Sequence, residues 1–454
     1  MQPTTSIEAT AAVARWLEQS FGGAVRSIER QPRWRPVWIA DVERDGEVLE
    51  LMVRGERTDT ALTFPLDHEM RFQQLLDERD VPVPRVFGWI DEPRAYVLAR
   101  IPGRPDFTES SDAERDAIVD EYVEALAHLH RLDITPFVDA GIERADTPAR
   151  SGMLGMARME ATYRAQKQHP DPFLEFGLSW FHRHQPDSLG REAPIVWDSG
   201  QFHHHDGHLA ALMDLELGHI GDPMMDLAGW RMRDSVLGFG DFDRIYGRYS
   251  ELTGEAVDIE AIELHHIAFT LSNELAFSHT LRAPGPGTDL TTNMQWCNET
   301  NLYATEAIAE YLDVELPTVE VPEPSGSRAA LAHEHLVREL RSVEPDDVFL
   351  RYQLRGAFRL ARHLQRFDEI GAAVVDADLD ELHELLGNRP KSWVDGEAEL
   401  ERFVLADRED GRHDKKLLAL FHRRNLRAQM LNGPAGSAMA RHNPLQPFAR
   451  RHVR

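Results

Sequence analysis

Residues 195–231 read IVWDSGQFHHHDGHLAALMDLELGHIGDPMMDLAGWR and are the most informative part of the chain. Asp206-Gly207 separates two short runs of residues, which predicts a β-hairpin closed by a two-residue turn. Asp214 and Glu216 lie two residues apart at the end of the second run, so in a strand their side chains point the same way. Two carboxylates on one side of a strand can hold one divalent cation.

The same stretch continues with acidic residues at the start of a predicted helix. Asp222 and Asp226 are four residues apart and flank Pro223, which is typical of a helix start with an acidic first turn. On the residues alone, helix caps and a solvated strand end explain these acids as well as a metal site does. Both interpretations therefore stay open at this point.

The segments before residue 103 predict a small antiparallel sheet with helices. A helical pattern over residues 6–20 ends at Gly22-Gly23, and a second one runs from Pro65 to Glu78 before Pro82 and Pro84. Alternating apolar residues around Asp45-Gly46 predict a hairpin, and two further runs predict another pair of strands. The predicted strands are Val37–Asp41, Val48–Val53, Val86–Ile90 and Tyr96–Ile101.

Helical periodicity dominates the rest of the chain. A long amphipathic helix begins near Ala113, and the hairpin region is the exception to the helices that follow. Residues 313–327, DVELPTVEVPEPSGS, hold three prolines without helical period and are the predicted linker. The predicted organisation is therefore a small lobe at 1–102, a large helical lobe at 103–312, the linker, and a helical accessory region at 328–454.

Composition limits the classes of function. The 454 residues exceed one ordinary domain, so two or three compact units are expected. A formal charge of −27 disfavours nucleic acid and anionic membrane as partners. The start MQPTTSIEAT lacks the pattern of a secretory signal, and the single Cys297 offers neither a disulfide nor a thiolate metal cluster. We expect a cytoplasmic protein with a small-molecule substrate, and a homodimer stays open.

Several motifs occur in the order known from one family of kinases. MDLELGHIGDPMMDLA resembles the metal-binding end of the aminoglycoside phosphotransferase and choline kinase-like family. VPVPRVFGWID, YVLARIPGRP and EALAHLHRLD resemble the family's small-lobe strand, interlobe connector and first large-lobe helix. The resemblance covers roughly residues 25–310 and implies an α+β, two-lobed protein-kinase-like fold, here with a helical C-terminal extension. It also implies ATP and Mg²⁺ as cofactors.

The resemblance assigns roles to four residues. Asp214 is the implied main Mg²⁺ ligand, with Glu216 as a neighbouring or second ligand. Arg54 stands where the family carries a basic residue that steadies the nucleotide phosphates, and Glu69 matches the helix carboxylate that pairs with it. Arginine replaces the more usual lysine and can bind phosphate through two N–H groups. A surface arginine at a strand edge is the alternative for Arg54.

The catalytic loop departs from the family pattern. Related kinases carry His-Gly-Asp followed by an asparagine, whereas this chain reads Val196-Trp-Asp-Ser-Gly-Gln-Phe202 and is shorter by two or three residues. Asp198 is the candidate catalytic base, and Gln201 is the candidate amide metal ligand. The segment RSIERQPRWRPVWIADV, residues 26–42, also lacks glycine where the resemblance leads us to expect a phosphate-covering loop. Arg30, Arg33 and Arg35 either contact phosphate there or pack on tryptophans.

Two other groups of residues allow a functional and a structural interpretation. His203, His204 and His205, with His208, suggest a metal site, but neighbouring strand residues face opposite sides and favour a solvated or stacked histidine ladder. Four large aromatic residues of the large lobe either line an acceptor pocket or belong to the core. These residues are Trp180, Phe181, Trp230 and Trp296.

The main hypothesis is an ATP-dependent phosphotransferase, a small-molecule kinase whose acceptor is an alcohol group. In it Asp198 orients the acceptor hydroxyl for attack on the γ-phosphoryl group. One alternative is a catalytically impaired pseudokinase that binds nucleotide or another ligand. A second alternative is a scaffold subunit whose C-terminal helices assemble with a partner enzyme.

Overall fold

The strands of the computed structural model form one five-stranded sheet and two short two-stranded sheets. The structure describes residues 3–57, 60–432 and 442–448. Strands β1 to β5 form an antiparallel sheet in the order β1-β2-β3-β5-β4, while β6 pairs with β9 and β7 pairs with β8. The strands are β1 Ala24–Arg30, β2 Val37–Arg44, β3 Glu47–Gly55, β4 Val86–Ile90, β5 Ala95–Ala99, β6 Ala193–Ile195, β7 Phe202–His205, β8 His208–Leu212 and β9 His219–Gly221.

Helices account for most of the remaining described residues. Short 3₁₀ helices at Pro148–Met153 and Leu215–Leu217 add to them. The α-helices are α1 Pro3–Phe21, α2 Leu66–Asp77, α3 Asp112–Leu129, α4 Thr135–Asp139, α5 Leu154–Gln166, α6 Pro172–Arg183, α7 Met224–Leu237, α8 Phe242–Thr253, α9 Ile259–Thr270, α10 Ser272–Arg282, α11 Leu290–Leu312, α12 Ala330–Ser342, α13 Val348–Leu386, α14 Trp393–Asp407 and α15 Asp414–Asn432.

The chain folds into two compact units, each discontinuous in sequence. Unit 1 spans residues 1–158, 187–262 and 448–454, and unit 2 spans residues 159–186 and 263–447. The predicted boundaries at 102, 312 and 327 cut the chain into consecutive segments, whereas each unit combines segments that are distant in sequence. These boundaries stay a prediction. Residues 313–327, the predicted linker, contain neither helix nor strand.

The small sheet of unit 1 forms for the reasons that the sequence indicates. Asp45 and Gly46 both have positive φ, 54° and 87°, which is the conformation of the two-residue turn that suits twisted strands. The predicted hairpin of β2 and β3 is therefore present. Strand β1 was not predicted, because its sequence AVRSIER is polar and mostly exposed, as at a sheet edge.

Helix α1 is held to this sheet by its apolar side. Val13 and Leu17 are fully buried in one cluster with Trp38 and Leu51. Each such side chain contributes roughly 2 kcal/mol by leaving water. The helix ends at Gly22, which has a φ of 65° and donates its N–H to Glu18 O at 3.0 Å. The predicted end of this helix is thus confirmed.

A second core in unit 1 joins α2, α3, α7, α8 and the β7–β8 hairpin. Phe72, Tyr122, Leu126, Ile220 and Trp230 are buried members of this cluster. Helix α3 begins with a capping box, in which Ser111 Oγ accepts from Glu114 N–H at 3.3 Å and Glu114 Oε2 accepts from Ser111 N–H at 2.8 Å. The core fixes the elements that carry the candidate site.

Unit 2 is a helical assembly. Helix α11 packs against α10, α13 and α15, helix α14 packs against α6 and α13, and α12 packs against α13. Among the described residues no helix is long and apolar enough to cross a membrane. The antiparallel sheet and the helical remainder agree with the predicted α+β class.

Candidate active site

The β7–β8 hairpin delivers the acidic pair to the site. Its turn, Asp206-Gly207, has positive φ at both residues, so the predicted hairpin is confirmed. Asp214 and Glu216, however, lie beyond the end of β8, and Asp214 adopts a left-handed conformation at φ 57° and ψ 62° before a 3₁₀ turn. The expected reason for their proximity, strand alternation, is therefore wrong. A left-handed non-glycine residue is strained, which is common at functional sites.

Arg54 connects the small sheet to both acids. Its Nη2 lies 2.5 Å from Asp214 Oδ1 and 3.5 Å from Glu216 Oε2, and its Nε lies 2.7 Å from Glu69 Oε1. Glu69, on α2, also accepts a hydrogen bond of 3.0 Å from Tyr96 O–H. Only 12% of the Arg54 side chain is exposed, so Arg54 is not a surface arginine. The expected pair of Arg54 and Glu69 is present.

Arg35 completes this ion cluster, although the sequence left its role undecided. Its Nη2 lies 2.6 Å from Glu216 Oε2, and its Nη1 lies 3.6 Å from Glu69 Oε2, while only 1% of its side chain is exposed. Its guanidinium carbon also lies 5.7 Å from the Trp34 ring centroid. The turn between β1 and β2 thus brings a buried charge to the acids.

The arginines determine the ionisation of the acidic pair. Burial opposes ionisation of Asp214, but the charges of Arg54 and Arg35 outweigh it and lower the pKa of Asp214 to about 2. Burial and the neighbouring Asp214 charge raise the pKa of Glu216, and Arg35 and Arg54 oppose that rise. Asp214 is therefore the more strongly ionised carboxylate of the pair.

Asp226 fixes the loop that carries Asp198. Its carboxylate accepts from Val196 N–H at 2.9 Å and from Trp197 N–H at 2.5 Å, and His130 Nε2 lies 2.9 Å from its Oδ2. Helix α7 packs closely on the same loop, since a Cβ at Gly229 would lie 2.2 Å from Trp197 O. Asp226 thus anchors the loop that carries Asp198, a role that the predicted helix start did not include.

Asp198 is held by an arginine that the sequence analysis missed. Arg233 Nη2 lies 2.6 Å and 2.7 Å from the two oxygens of Asp198, and Arg233 Nε lies 3.0 Å from Oδ1. Burial raises the pKa of Asp198, Arg233 opposes that rise, and the Asp214 charge adds to it. Asp198 and Asp214 therefore lie in one electrostatic environment.

Gln201 links Asp198 to the acidic pair. Its side-chain amide donates to Asp198 Oδ2 at 2.7 Å, and its backbone oxygen accepts from Met213 N–H at 3.0 Å. The backbone bond ties the loop to the residue that precedes Asp214. The structure thus brings Gln201 directly to Asp198.

The histidines of the hairpin do not form a metal cluster. His204 is buried, its Nε2 lies 2.7 Å from Asp106 O, and its ring stacks on Phe107. In the described part of the chain no group of three or more His, Cys, Asp or Glu side chains is placed to hold a metal ion. Magnesium is usually bound by one or two carboxylates together with phosphate oxygens and water, which the pair of Asp214 and Glu216 suits.

The aromatic residues suggested for an acceptor pocket are mostly core. Trp180, Phe181 and Trp230 are at most 1% exposed. Trp230 belongs to unit 1, whereas Trp180, Phe181 and the half-buried Trp296 belong to unit 2. The core interpretation is therefore the correct one for the three buried rings.

Comparison with known proteins gives a partial match by sequence. The rat and human proteins named acyl-CoA dehydrogenase family member 11 are 30% and 28% identical to this chain over 176 residues. That match covers 36% of this chain and 22% of each of those proteins. The chain thus spans about a fifth of the length of these relatives.

Solved structures show weaker likenesses over more of the chain. Choline kinase LicA from Streptococcus pneumoniae is 16% identical with a TM-score of 0.47, covering 66% of this chain and 99% of that one. Macrolide 2'-phosphotransferase MphH from Brachybacterium faecium is 18% identical with a TM-score of 0.43, covering 61% and 94%.

A family model provides the assignment. Residues 43–258 match the model described as the phosphotransferase enzyme family. This range contains Arg54, Glu69, Asp198, Asp214 and Arg233, most of the side chains in the ion clusters above. The sequence-based resemblance and the kinase-like α+β fold are confirmed, and residues 43–258, just under half of the chain, match the phosphotransferase enzyme family.

Proposed function

We propose that the protein is an ATP-dependent phosphotransferase that transfers a phosphoryl group to a hydroxyl of a small molecule. One observation carries the proposal, namely that Arg54 joins Glu69 to Asp214 while Asp198 lies in the same electrostatic environment. Phosphoryl transfer depends mainly on positioning and on charge neutralisation, and these side chains supply both.

The residues suit magnesium and a nucleotide. Asp214 is ionised over the physiological pH range because its pKa is about 2, and hard cations prefer such oxygens. We assign Asp214 as the main ligand, Glu216 as the second and Gln201 as a further amide oxygen. Bound magnesium and ATP would supply the γ-phosphoryl group and neutralise its charge.

Arg54 and Glu69 are proposed to steady the phosphates. The N–H groups of arginine match phosphate oxygens better than a lysine ammonium does. Glu69 and Tyr96 hold Arg54 in one place from the side of α2 and β5. We therefore expect Arg54 to act on nucleotide affinity more than on proton transfer.

Asp198 is proposed as the group that accepts the proton of the acceptor hydroxyl. Its raised pKa makes it a better proton acceptor than an exposed aspartate, and Arg233 favours its charged form. Arg233 and Gln201 fix the orientation of the carboxylate. With ATP bound, the hydroxyl oxygen would bond to the γ-phosphorus as the bond to the β–γ bridging oxygen breaks and ADP leaves, and Asp198 would take up the proton of the hydroxyl.

The ion pair between Arg233 and Asp198 also favours a second candidate function. Both carboxylate oxygens lie within 2.7 Å of Arg233 Nη2, so Asp198 already has a strong partner. A protein that binds nucleotide without transferring phosphate would have the same geometry. This pseudokinase alternative predicts nucleotide binding with no phosphorylated product.

The test separates binding from transfer. We expect ATP with Mg²⁺ to raise the melting temperature of the full chain more than AMP does, because the phosphates bind at Arg54 and the metal at Asp214. Asp198→Asn should keep that shift and lose transfer to the acceptor. No shift with ATP and Mg²⁺ would contradict both functions, and a shift without any product would favour the pseudokinase.

The acceptor is sought among compounds related to those named for similar proteins. A suitable panel contains an aminoglycoside, a macrolide, choline and a hydroxylated acyl-CoA, each with a free hydroxyl group. Transfer of ³²P from labelled ATP identifies the acceptor class. Hydrolysis of ATP without labelled product would leave water as the acceptor and contradict the proposed small-molecule activity.

A further inference from the structure

Phe448, near the end of the chain, belongs to the core of unit 1. It is 5% exposed and is a member of the cluster that also contains Tyr122 and Trp230. The residues before it, 442–447, belong to unit 2 and contain neither helix nor strand. Phe448 therefore comes to this core from a part of the chain well beyond residue 258, where the family match ends.

Phe448 contacts both α7 and α8. The guanidinium carbon of Arg231, on α7, lies 4.0 Å from the centroid of the Phe448 ring. The ring of Tyr246, on α8, is stacked on Phe448 with centroids 6.3 Å apart and an interplanar angle of 25°. Tyr246 O–H in turn donates to Leu227 O of α7 at 3.2 Å. Phe448 thus packs on a pair of helices that also bind each other.

The contact with Arg231 stabilises this packing more than an ordinary apolar contact does. Arg231 is only 1% exposed, so its guanidinium has lost most of its contact with water. The face of an aromatic ring attracts a cation within about 6 Å of its centroid, and the attraction is stronger when the cation is desolvated. A smaller side chain at position 448 would remove this attraction and leave a cavity beside α7.

The opposite side of α7 holds the loop that carries Asp198. Asp226, Gly229 and Arg233 are three and four residues apart and therefore share one side of the helix. Asp226 accepts N–H groups of the loop, Gly229 packs on the loop backbone, and Arg233 binds the Asp198 carboxylate. Arg231 is two residues from Gly229, which is about 200° around the helix, so Phe448 contacts α7 from the other side.

We propose that Phe448 is a positioning residue for the loop of residues 196–201. It fixes α7 from the side of Arg231, and α7 in turn fixes the loop. The effect of Phe448 on phosphate transfer rests on the proposed function, whereas its effect on the order of the loop does not. Arg54 and Asp214, the proposed partners of phosphate and metal, lie outside α7. Phe448 should therefore affect transfer more than ATP binding.

The first experiment measures amide hydrogen exchange in the full chain without nucleotide. The N–H groups of Val196 and Trp197 bond to Asp226, so their exchange reports local opening of the loop. We expect Phe448→Ala to speed exchange of these two amides by about 10-fold or more. Leu17→Ala is the matched control, because Leu17 is fully buried in the other core of unit 1. It should leave the loop amides at the wild-type rate.

A second variant keeps the test decisive if Phe448→Ala does not fold. Phe448→Leu keeps a large apolar side chain but has no aromatic face for Arg231. We expect it to speed exchange of the same loop amides by about 3-fold. Wild-type exchange in every folded variant at position 448, or an equal increase in Leu17→Ala, would overturn the proposal.

The second experiment follows ³²P transfer by the same variants. We expect Phe448→Ala to lower kcat by about 10-fold with KM for ATP unchanged, because the proposed proton acceptor is less well oriented. A higher KM for ATP with unchanged kcat would overturn the proposal. A wild-type chain without any transfer would contradict the proposed function alone, and the exchange rates would still decide the role of Phe448.

Discussion

Asp214 of unit 1 and Glu274 of unit 2 are carboxyl groups whose pKa values move in opposite directions. Arg54 and Arg35 outweigh burial at Asp214 and lower its pKa to about 2. Burial and the charge of Asp171 raise the pKa of Glu274 to about 7, because Asn301 and Arg282 compensate only part of that effect. The number of adjacent cations therefore decides which acid is charged.

Asp198 of unit 1 is a third carboxyl group with a shifted pKa. Burial raises its pKa, and the adjacent Arg233 opposes the rise. In unit 1, arginines lie beside both Asp214 and Asp198 and favour their ionised forms. Unit 2 instead holds a carboxyl group that is neutral at mildly acidic pH, which suits a structural role.

Removing Asp214, the acid whose charge the arginines compensate most, should have the largest effect on catalysis. We expect Asp214→Ala to lower kcat by about 10³-fold or more, because the main proposed metal ligand is lost. The measurement is ³²P transfer together with the melting shift caused by ATP and Mg²⁺. The exposed Glu8→Ala is the control, and an Asp214→Ala protein with unchanged magnesium dependence would refute the assignment.

The second test removes the arginine that pairs with Asp198. Arg233→Met should lower kcat by about 10²-fold with little change in KM for ATP, because the proton acceptor is no longer oriented. Arg54→Met should instead raise KM for ATP. An increase in transfer by Arg233→Met would mean that the ion pair restrains Asp198, and equal KM effects of both variants would contradict the division of roles.

The features that the sequence predicts are those that depend on residues close together in the chain. The hairpins at Asp45-Gly46 and Asp206-Gly207 follow from turn chemistry, and helix α3 follows from its periodicity. Arg54 and Glu69 were found because a family motif orders them along the chain. Their pairing at 2.7 Å agrees with that motif.

Contacts between distant segments explain what the sequence did not predict. Arg35 meets Glu216 across 181 residues, and Arg233 meets Asp198 across 35. No periodicity encodes such contacts. The expected alternation of side chains from Asp214 to Glu216 also fails, because the left-handed conformation of Asp214 ends the extended strand geometry.

A third test concerns Glu274, whose charge is only partly compensated. The pKa of Glu274 is about 7 in the folded chain, above the ordinary value of 4.5, so folding binds a proton between these pH values and stability falls as pH rises through this range. Glu274→Gln should therefore stabilise the protein by up to about 3 kcal/mol at pH 8 and hardly at all below pH 4.5. Urea unfolding at both pH values measures this.

The exposed Glu339→Gln on α12 is a suitable control, since Glu339 has no comparable burial. Equal effects of Glu274→Gln at pH 5 and pH 8 would contradict a raised pKa. They would show that the amide simply packs differently from the acid.

A fourth test concerns Asp214, whose pKa is shifted in the direction opposite to that of Glu274. Its pKa is lowered, so its contribution is present above the unfolded value near 4 and is lost as pH falls towards about 2. We expect unit 1 to lose about 1–2 kcal/mol over that range, after allowance for partial exposure. Asp214→Asn should lack this acid-dependent loss in urea unfolding, and an unchanged pH dependence would contradict the arginine effect.

The smallest expected effect lies on the surface of unit 2, where no charge compensation is involved. Gly356→Ala should stabilise α13 by roughly 0.8–1 kcal/mol, because alanine loses less backbone entropy in a helix. A Cβ built at Gly356 meets no described atom within 4 Å, so the methyl group fits without a clash. Urea unfolding measures the gain. A loss of stability would show that another group occupies the space beside Gly356.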